Sequence, residues 1–205
     1  MSHPSAGRVV DLYRRLGPQW DADRRSDGFP EARWLDRLLA LTPPDGGILD
    51  MGCGGGDPIA VHLAAAGRRV TGIDSATAMI ALCRSRLPAQ RWIVADMRRL
   101  DLAVRFAGLV AWDSFFHLSQ ADQRAMFPVF AAHAAPGAAL LFTSGPAEGV
   151  AVGDLFGEPL HHASLNPEEY RSLLDAQDFE VVDFAPEDPD CGRHTIWLAR
   201  LRGRA

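Results

Sequence analysis

From about residue 45 onward, short, mostly apolar runs alternate with stretches whose apolar residues recur every three or four positions. The runs at 48–51, 70–73, 92–95, 108–112 and 138–143 are too short for helices and read as buried strands. The stretches at 58–66, 77–87 and 120–134 carry helical spacing. In the second of these, Met79, Ile80, Cys83 and Leu87 share one face. Gly67 closes the first; Ser119 opens the third, with Asp122 in the capping-box position, and Pro128 predicts a kink. Strands that alternate with helices form a parallel sheet covered on both faces.

The ends of the chain depart from this alternation. Residues 5–17 and 30–41 read as helices, the second with Trp34, Leu35, Leu38, Leu39 and Leu41 on helical spacing before TPPDGG breaks it. Near the other end, Asn166 caps a helix, Pro167 takes its first position, Glu169 completes a capping box and Leu165 can staple to Tyr170. Runs at 179–184 and 195–200 flank the turn-rich APEDPDCGRH and predict an antiparallel hairpin. Residues 145–165 show no clear period and read as a long loop, the kind that is usually functional or mobile. The expected fold is α/β, a doubly wound sheet of seven strands, mostly parallel, ending in an antiparallel C-terminal hairpin.

Composition narrows the function classes. A chain of 205 residues has one domain as its prior, and 47% hydrophobic with 23% charged residues is ordinary globular usage. The net charge of −5 argues against a broad nucleic-acid surface. Every basic residue is arginine, so Schiff-base and pyridoxal chemistry and a GxxxxGK(S/T) phosphate loop are excluded. Three cysteines, spread along the chain without a CxxC, fit a reducing cytoplasm and no zinc site. The N-terminal stretch shows no apolar signal core, and no apolar run approaches ~18 residues, so the expectation is a cytoplasmic protein without a membrane partner.

Chemistry gathers at the strand ends, where parallel sheets bind ligands. ILDMGCGGGDPIA, VTGIDS, WIVADM and LVAWDSFFHL bring Asp50, Asp74, Asp96 and Asp113 to one rim. The glycine-rich first turn suits close approach to a ligand. A dinucleotide fingerprint fails on either frame, because its third glycine would fall at Asp57 or Ile59. Asp57, read as the N-cap of the following helix, would also face the pyrophosphate with like charge. S-adenosylmethionine fits better: it has no phosphate, its sulfonium and ammonium groups favour acidic surroundings, and Asp74 stands 22 residues after Gly52, where a ribose-binding carboxylate belongs.

ILDMGCGGGDPIA, VTGIDSATAMI, IVADMRRLDL, LVAWDSFFHL and HAAPGAALLFTSG, taken in order, resemble the successive motifs of class I S-adenosylmethionine-dependent methyltransferases of the small-molecule type. The resemblance covers residues 45–145 and implies a Rossmann-like fold. It implies that Gly52, Cys53 and Gly54 lie against the cofactor through backbone, Asp50 near its ammonium, Asp74 and Ser75 at the ribose, and Asp96 and Met97 at the adenine. Met79 would pack on that ring, and the backbone near Trp112 would meet the methionyl group. Ala138 stands where the family usually has a second glycine. The resemblance also implies an N-terminal helical lid at 1–44, with Tyr13 and Trp20 over the cofactor, a cofactor-binding core at 45–145, and a substrate-side loop and helix-hairpin at 146–205, all within one domain of residues 1–205.

Two stretches carry candidate catalysis. In WDSFFHL, Asp113 or His117 could take a proton or orient an acceptor, and Phe116 could wall the pocket. In EPLHHASL, His161 and His162 could touch substrate; adjacent side chains diverge too far to share a metal. His133 and Trp197 read as structural, and nothing supports a cysteine nucleophile. The expected activity is methyl transfer from S-adenosylmethionine, leaving S-adenosylhomocysteine, to nitrogen or oxygen of a small, planar aromatic or heteroaromatic acceptor. The rivals are a non-methylating S-adenosylmethionine-binding protein and a nicotinamide-dependent oxidoreductase.

Overall fold

A computed structural model describes residues 4–26 and 28–203. The alternating segments form β1 (Ile48–Met51), α3 (Ile59–Ala65), β2 (Val70–Asp74), α4 (Thr77–Arg86), β3 (Arg91–Val94), β4 (Phe106–Ala111), α5 (Gln120–His133) and β5 (Ala134–Ser144). They are preceded by α1 (Val9–Ser26) and α2 (Ala32–Ala40). They are followed by β6 (Gly149–Leu155), β7 (Glu158–Ser164), α6 (Pro167–Ala176), β8 (Phe179–Asp188) and β9 (His194–Leu201). Seven strands make one sheet in the order β3-β2-β1-β4-β5-β9-β8. The first five are parallel; β9 runs antiparallel to both β5 and β8. The expected architecture is present, with a Rossmann-like order that reverses between β1 and β4, and a crevice opens at such a reversal.

Both sheet faces are buried, which is why the strands read as apolar runs rather than as alternating ones. Along β1, Leu49 and Met51 face a core with Phe115, Phe127, Phe142, Tyr170 and Trp197, while Ile48 faces Trp34, Leu35, Leu38 and Trp92 on the other side. Trp197 stacks on Phe142 at 5.8 Å and donates to Ser144 Oγ at 3.0 Å; His133 Nε2 accepts from the Leu102 N–H. Both are structural, as read.

Four local expectations are corrected. Residues 145–165 are not irregular: β6 and β7 pair as a separate antiparallel hairpin. Its two-residue turn has φ 53° at Phe156 and 85° at Gly157, both left-handed, and Asp154 Oδ1 accepts from Gly157 N. The first helix does not stop at Gly17 and Pro18 but runs to Ser26. Tertiary packing outweighs the breaker: Leu12 lies against Leu155 and Leu160 of the hairpin, and a Cβ on Gly17 would come within 2.9 Å of Met79 on α4. Asp57 is not the N-cap of α3; Pro58 occupies that position. Neither capping box closes. Ser119 and Asn166 each accept one backbone N–H, but Asp122 and Glu169 turn outward to Arg98 and Arg124. α5 spans Gln120–His133 with Pro128 inside it. Among the described residues no helix is long and apolar enough to cross a membrane.

Candidate active site

The loop after β1 is stitched to the end of β2. Gly52 N and Cys53 N both donate to Ile73 O, at 2.8 and 3.0 Å, and Gly54 N donates to Asp74 Oδ2 at 3.0 Å. Gly52 has φ 77°, and a Cβ there would fall 2.3 Å from that of Ser114, so only glycine lets the loop pass beneath the strand-four turn. Asp74 Oδ1 accepts from Ala76 N at 2.8 Å. Burial nevertheless pushes the Asp74 carboxyl up to about 6, against the backbone N–H groups that pull it down.

Asp50 is more extreme. It is 2% exposed, and its Oδ2 has no hydrogen-bond partner among the described residues. Burial, then the charge of Asp74, pushes it up to about 7. An unsatisfied buried carboxylate is costly, so it calls for a cationic or hydrogen-bond-donating partner.

α1 covers this floor. Asp21, 2% exposed, is gripped by Arg86 of α4 at 2.6 and 2.5 Å, and Arg86 also donates to Gly55 O at 2.8 Å. Trp20 lies against Gly54, close enough that a Cβ there would sit 3.1 Å from the ring. Tyr13 OH meets His117 Nε2 at 3.1 Å, and His117 Nδ1 meets His161 O at 2.9 Å. A carbonyl can only accept, so Nδ1 carries the His117 hydrogen and Tyr13 donates to Nε2. Burial holds the His117 imidazole down to about 4, so it stays neutral, and it pushes the Tyr13 phenol up. Both His117 ring nitrogens are thus engaged, Nδ1 as donor and Nε2 as acceptor.

Beyond β4, Asp113 N donates to Thr143 Oγ1 at 2.9 Å, and the Asp113 carboxylate accepts from His194 Nε2 at 3.0 Å. Trp112 packs on the His194 ring at 5.4 Å. Asp96 is clamped by Arg98 through Nε and Nη2, which holds its carboxyl below the usual range, and Arg98 also reaches Asp122.

One cleft of about 1240 Å³, counting the mouth open to solvent, is lined by Tyr13, Trp20, Asp50, Gly52, Cys53, Gly54, Asp74, Ser75, Met79, Asp96, Met97 and Trp112, together with Asp113 and His117. The other histidine-motif residues lie elsewhere. His161 is 1% exposed, bonds Ser5 Oγ at 3.0 Å and does not line the cleft. Phe116 and His162, 5.1 Å apart, line a second groove beside the β6–β7 hairpin. Sequence reasoning missed Arg24, which lines the cleft and pairs with buried Glu31, and it missed the Asp21–Arg86 grip and His194. No period or motif marks them; each acts across more than one element. Cys53 and Cys83, distant in sequence, stand 3.9 Å apart as free thiols, and no cluster of metal-ligating side chains occurs among the described residues.

Comparison with known proteins agrees with this geometry. Residues 48–137 match a methyltransferase domain family. The chain is 40% identical over 99 residues to a malonyl-[acyl-carrier protein] O-methyltransferase of Pectobacterium atrosepticum, covering 47% of this chain and 34% of the relative. It is 31% identical over 144 residues to the dTDP-3-amino-3,6-dideoxy-alpha-D-glucopyranose N,N-dimethyltransferase of Streptomyces fradiae, covering 66% of this chain and 56% of that one. The chain thus spans between a third and somewhat over half the length of these relatives. In structure it superposes on CalS10, an amino pentose methyltransferase from Micromonospora echinaspora, with a TM-score of 0.70 and 24% identity, covering 89% of this chain and 96% of that one. Residues 48–137 are thus similar to a methyltransferase domain, and the fold is that of the methyltransferase on which the chain superposes.

Proposed function

We propose that the cleft binds S-adenosylmethionine and that the protein transfers its methyl group to nitrogen or oxygen of a small, planar acceptor. The observation that carries this reading is Asp50, a buried carboxylate with an unpartnered oxygen on the glycine-lined floor. It fits a ligand that brings an ammonium group and a sulfonium, and it disfavours one that brings phosphates. Gly52 and Gly54 would meet the ligand with bare backbone, Asp74 and Ser75 would take its ribose hydroxyls, and Met79, Asp96 and Met97 would surround its adenine. Once bound, the cofactor supplies a methyl group activated on positive sulfur.

The protein's own part is alignment and exclusion of water, which can supply roughly 7–11 kcal/mol. α1 acts as the lid, pinned by Asp21 and carrying Tyr13 and Trp20 over the cleft. Asp113 faces the acceptor, and His117 acts through Tyr13. The rings of Tyr13, Trp20 and His117, 5.5–5.7 Å apart in sequence of contact, favour a flat acceptor. The relative named for an aminosugar N,N-dimethyltransferase supports a small molecule, and the charge of −5 argues against a broad nucleic-acid surface. Three free thiols suit a cytoplasmic setting.

Calorimetric titration with S-adenosylmethionine, S-adenosylhomocysteine and NAD tests the reading. Micromolar binding of the two adenosyl ligands is expected, weakened about 10–100-fold in Asp74→Ala through the lost charged hydrogen bonds. NAD binding without adenosyl binding would overturn it.

A further inference from the structure

Asp113 has φ 46°, a left-handed conformation uncommon for a residue with a Cβ. Such an outlier at a cleft points to a side chain that must be aimed. Two partners aim it. Thr143 Oγ1 accepts from Asp113 N and donates to Asp113 Oδ1 at 3.3 Å, while His194 Nε2 bridges both carboxylate oxygens at 3.0 and 3.1 Å. The other nitrogen of His194, Nδ1, lies 2.7 Å from Cys191 O. Both ring nitrogens therefore face acceptors, whereas a neutral imidazole has only one N–H. The pair must hold one proton more than a carboxylate and a neutral ring together, and its net charge is close to zero.

The surroundings agree. Burial pulls the His194 imidazole down, but the hydrogen bond and charge of Asp113 outweigh it and hold it above the usual histidine range. Arg24 of α1 opposes this weakly from a distance, its guanidinium tied to Glu31. Asp188 of β8, opposite His194 in register, is occupied by Arg33 and by Trp34 Nε1 at 2.8 Å.

Across the cleft stands Tyr13, near enough that the charge of Asp113 contributes to raising its phenol. Its hydrogen is committed to His117, so its oxygen offers only lone pairs. This end of the cleft thus presents two acceptors, Asp113 and Tyr13. A carboxylate acceptor would meet both with like polarity. A hydroxyl could satisfy one. A neutral amine can donate to them and keep its lone pair for attack.

On the reading of the cleft as a methyl-transfer site, we propose that Asp113, positioned by His194 and Thr143, receives the N–H of the methyl acceptor, and that the acceptor is a neutral amine. The nitrogen lone pair forms the new C–N bond, the methyl–sulfur bond breaks with its electron pair left on sulfur, and the N–H proton passes to the Asp113 carboxylate. The amine leaves methylated and uncharged. His194 keeps its own proton throughout and is a positioning residue.

The test is NMR titration of the histidine Cε1–H signals in the full chain, with His194 assigned from His194→Gln. In the ligand-free protein His194 should titrate above 6.5, and Asp113→Asn should lower its midpoint. With S-adenosylhomocysteine present, aniline should shift the His194 signal and benzoate of the same size should not. Thr143→Val, which loosens Asp113 without removing its charge, should weaken aniline several-fold and gives a second route if Asp113→Asn does not fold. A His194 midpoint at or below 6.5, or benzoate acting as strongly as aniline, would overturn the proposal. Failure of S-adenosylhomocysteine to bind would instead remove the methyl-transfer reading beneath it, with the His194 titration intact.

Discussion

Asp50→Asn should make the ligand-free protein more stable at pH 8 while weakening its hold on S-adenosylmethionine. The carboxylate sits at the end of β1, 2% exposed, and ionises near 7 rather than at its ordinary 3.8. A folded-state value above the unfolded one means that the folded chain binds a proton more readily than the unfolded chain between those two values. The stability this group confers is therefore greatest below pH 4, falls as the pH rises from about 4 to about 7, and stays at its lowest above that. The full difference is about 4 kcal/mol at ~1.4 kcal/mol per unit. Asparagine keeps the shape and carries no charge, so the gain should appear at pH 8 and vanish near pH 4. For a chain of this size each kcal/mol moves Tm by roughly 2–4 °C. Thermal melts across pH check the first half, and calorimetry with the cofactor checks the second, where a 10–100-fold loss is expected from removing a charged partner of the ammonium group. If the variant melts lower than the wild type at pH 8, Asp50 is satisfied in the folded chain and its role as the cation's partner falls.

The same residue shows what the sequence could disclose. A polar residue ending an apolar run, followed by glycines, was legible because burial on both faces of a parallel sheet leaves little else for an acid to be doing there. The seven strands and the closing antiparallel hairpin were legible in the same pattern, whereas their order in the sheet comes from the structure alone. What escaped reading depended on partners far away along the chain. Nothing local marks Phe156–Gly157 as a left-handed two-residue turn, so the β6–β7 hairpin read as a loop. Gly17–Pro18 breaks helices by propensity, yet the hairpin and α4 hold α1 straight through it. The histidine pair illustrates the cost. Once 158–164 is a strand, successive side chains point to opposite faces. His161 then turns inward to Ser5 and leaves its carbonyl for His117, and His162 turns to the second groove. His194 was invisible for a related reason: it matters through Asp113, 81 residues away.

Asp21→Ala should detach α1 and lower cofactor affinity with little harm to the sheet. Asp21 is almost fully buried and takes two hydrogen bonds from Arg86, whose side chain is itself only 21% exposed, and Arg25 adds a third contact at 3.3 Å. Removing one partner of such a pair strands the other charge, which costs up to about 3–5 kcal/mol where burial is complete. Some exposure of Arg86 reduces this to about 2–3 kcal/mol. The penalty falls on one joint. Arg86 also holds the Gly55 carbonyl, and the approach is so close that a Cβ on Gly55 would sit 1.8 Å from Asp21 Oδ1. α1, the glycine loop and α4 therefore meet at a single guanidinium. Amide exchange should accelerate across Val9–Ser26 and in the glycine loop, and remain slow in β1, β4 and β5. Because Tyr13 and Trp20 ride on the same helix, the cofactor should bind more weakly even though neither ring is changed. Gly55→Ala, which leaves both charges in place but pushes them apart, should reproduce the exchange pattern. Unchanged protection of α1 in both variants would mean that the hairpin contacts of Leu12 alone seat the helix, and that Asp21 is not its latch.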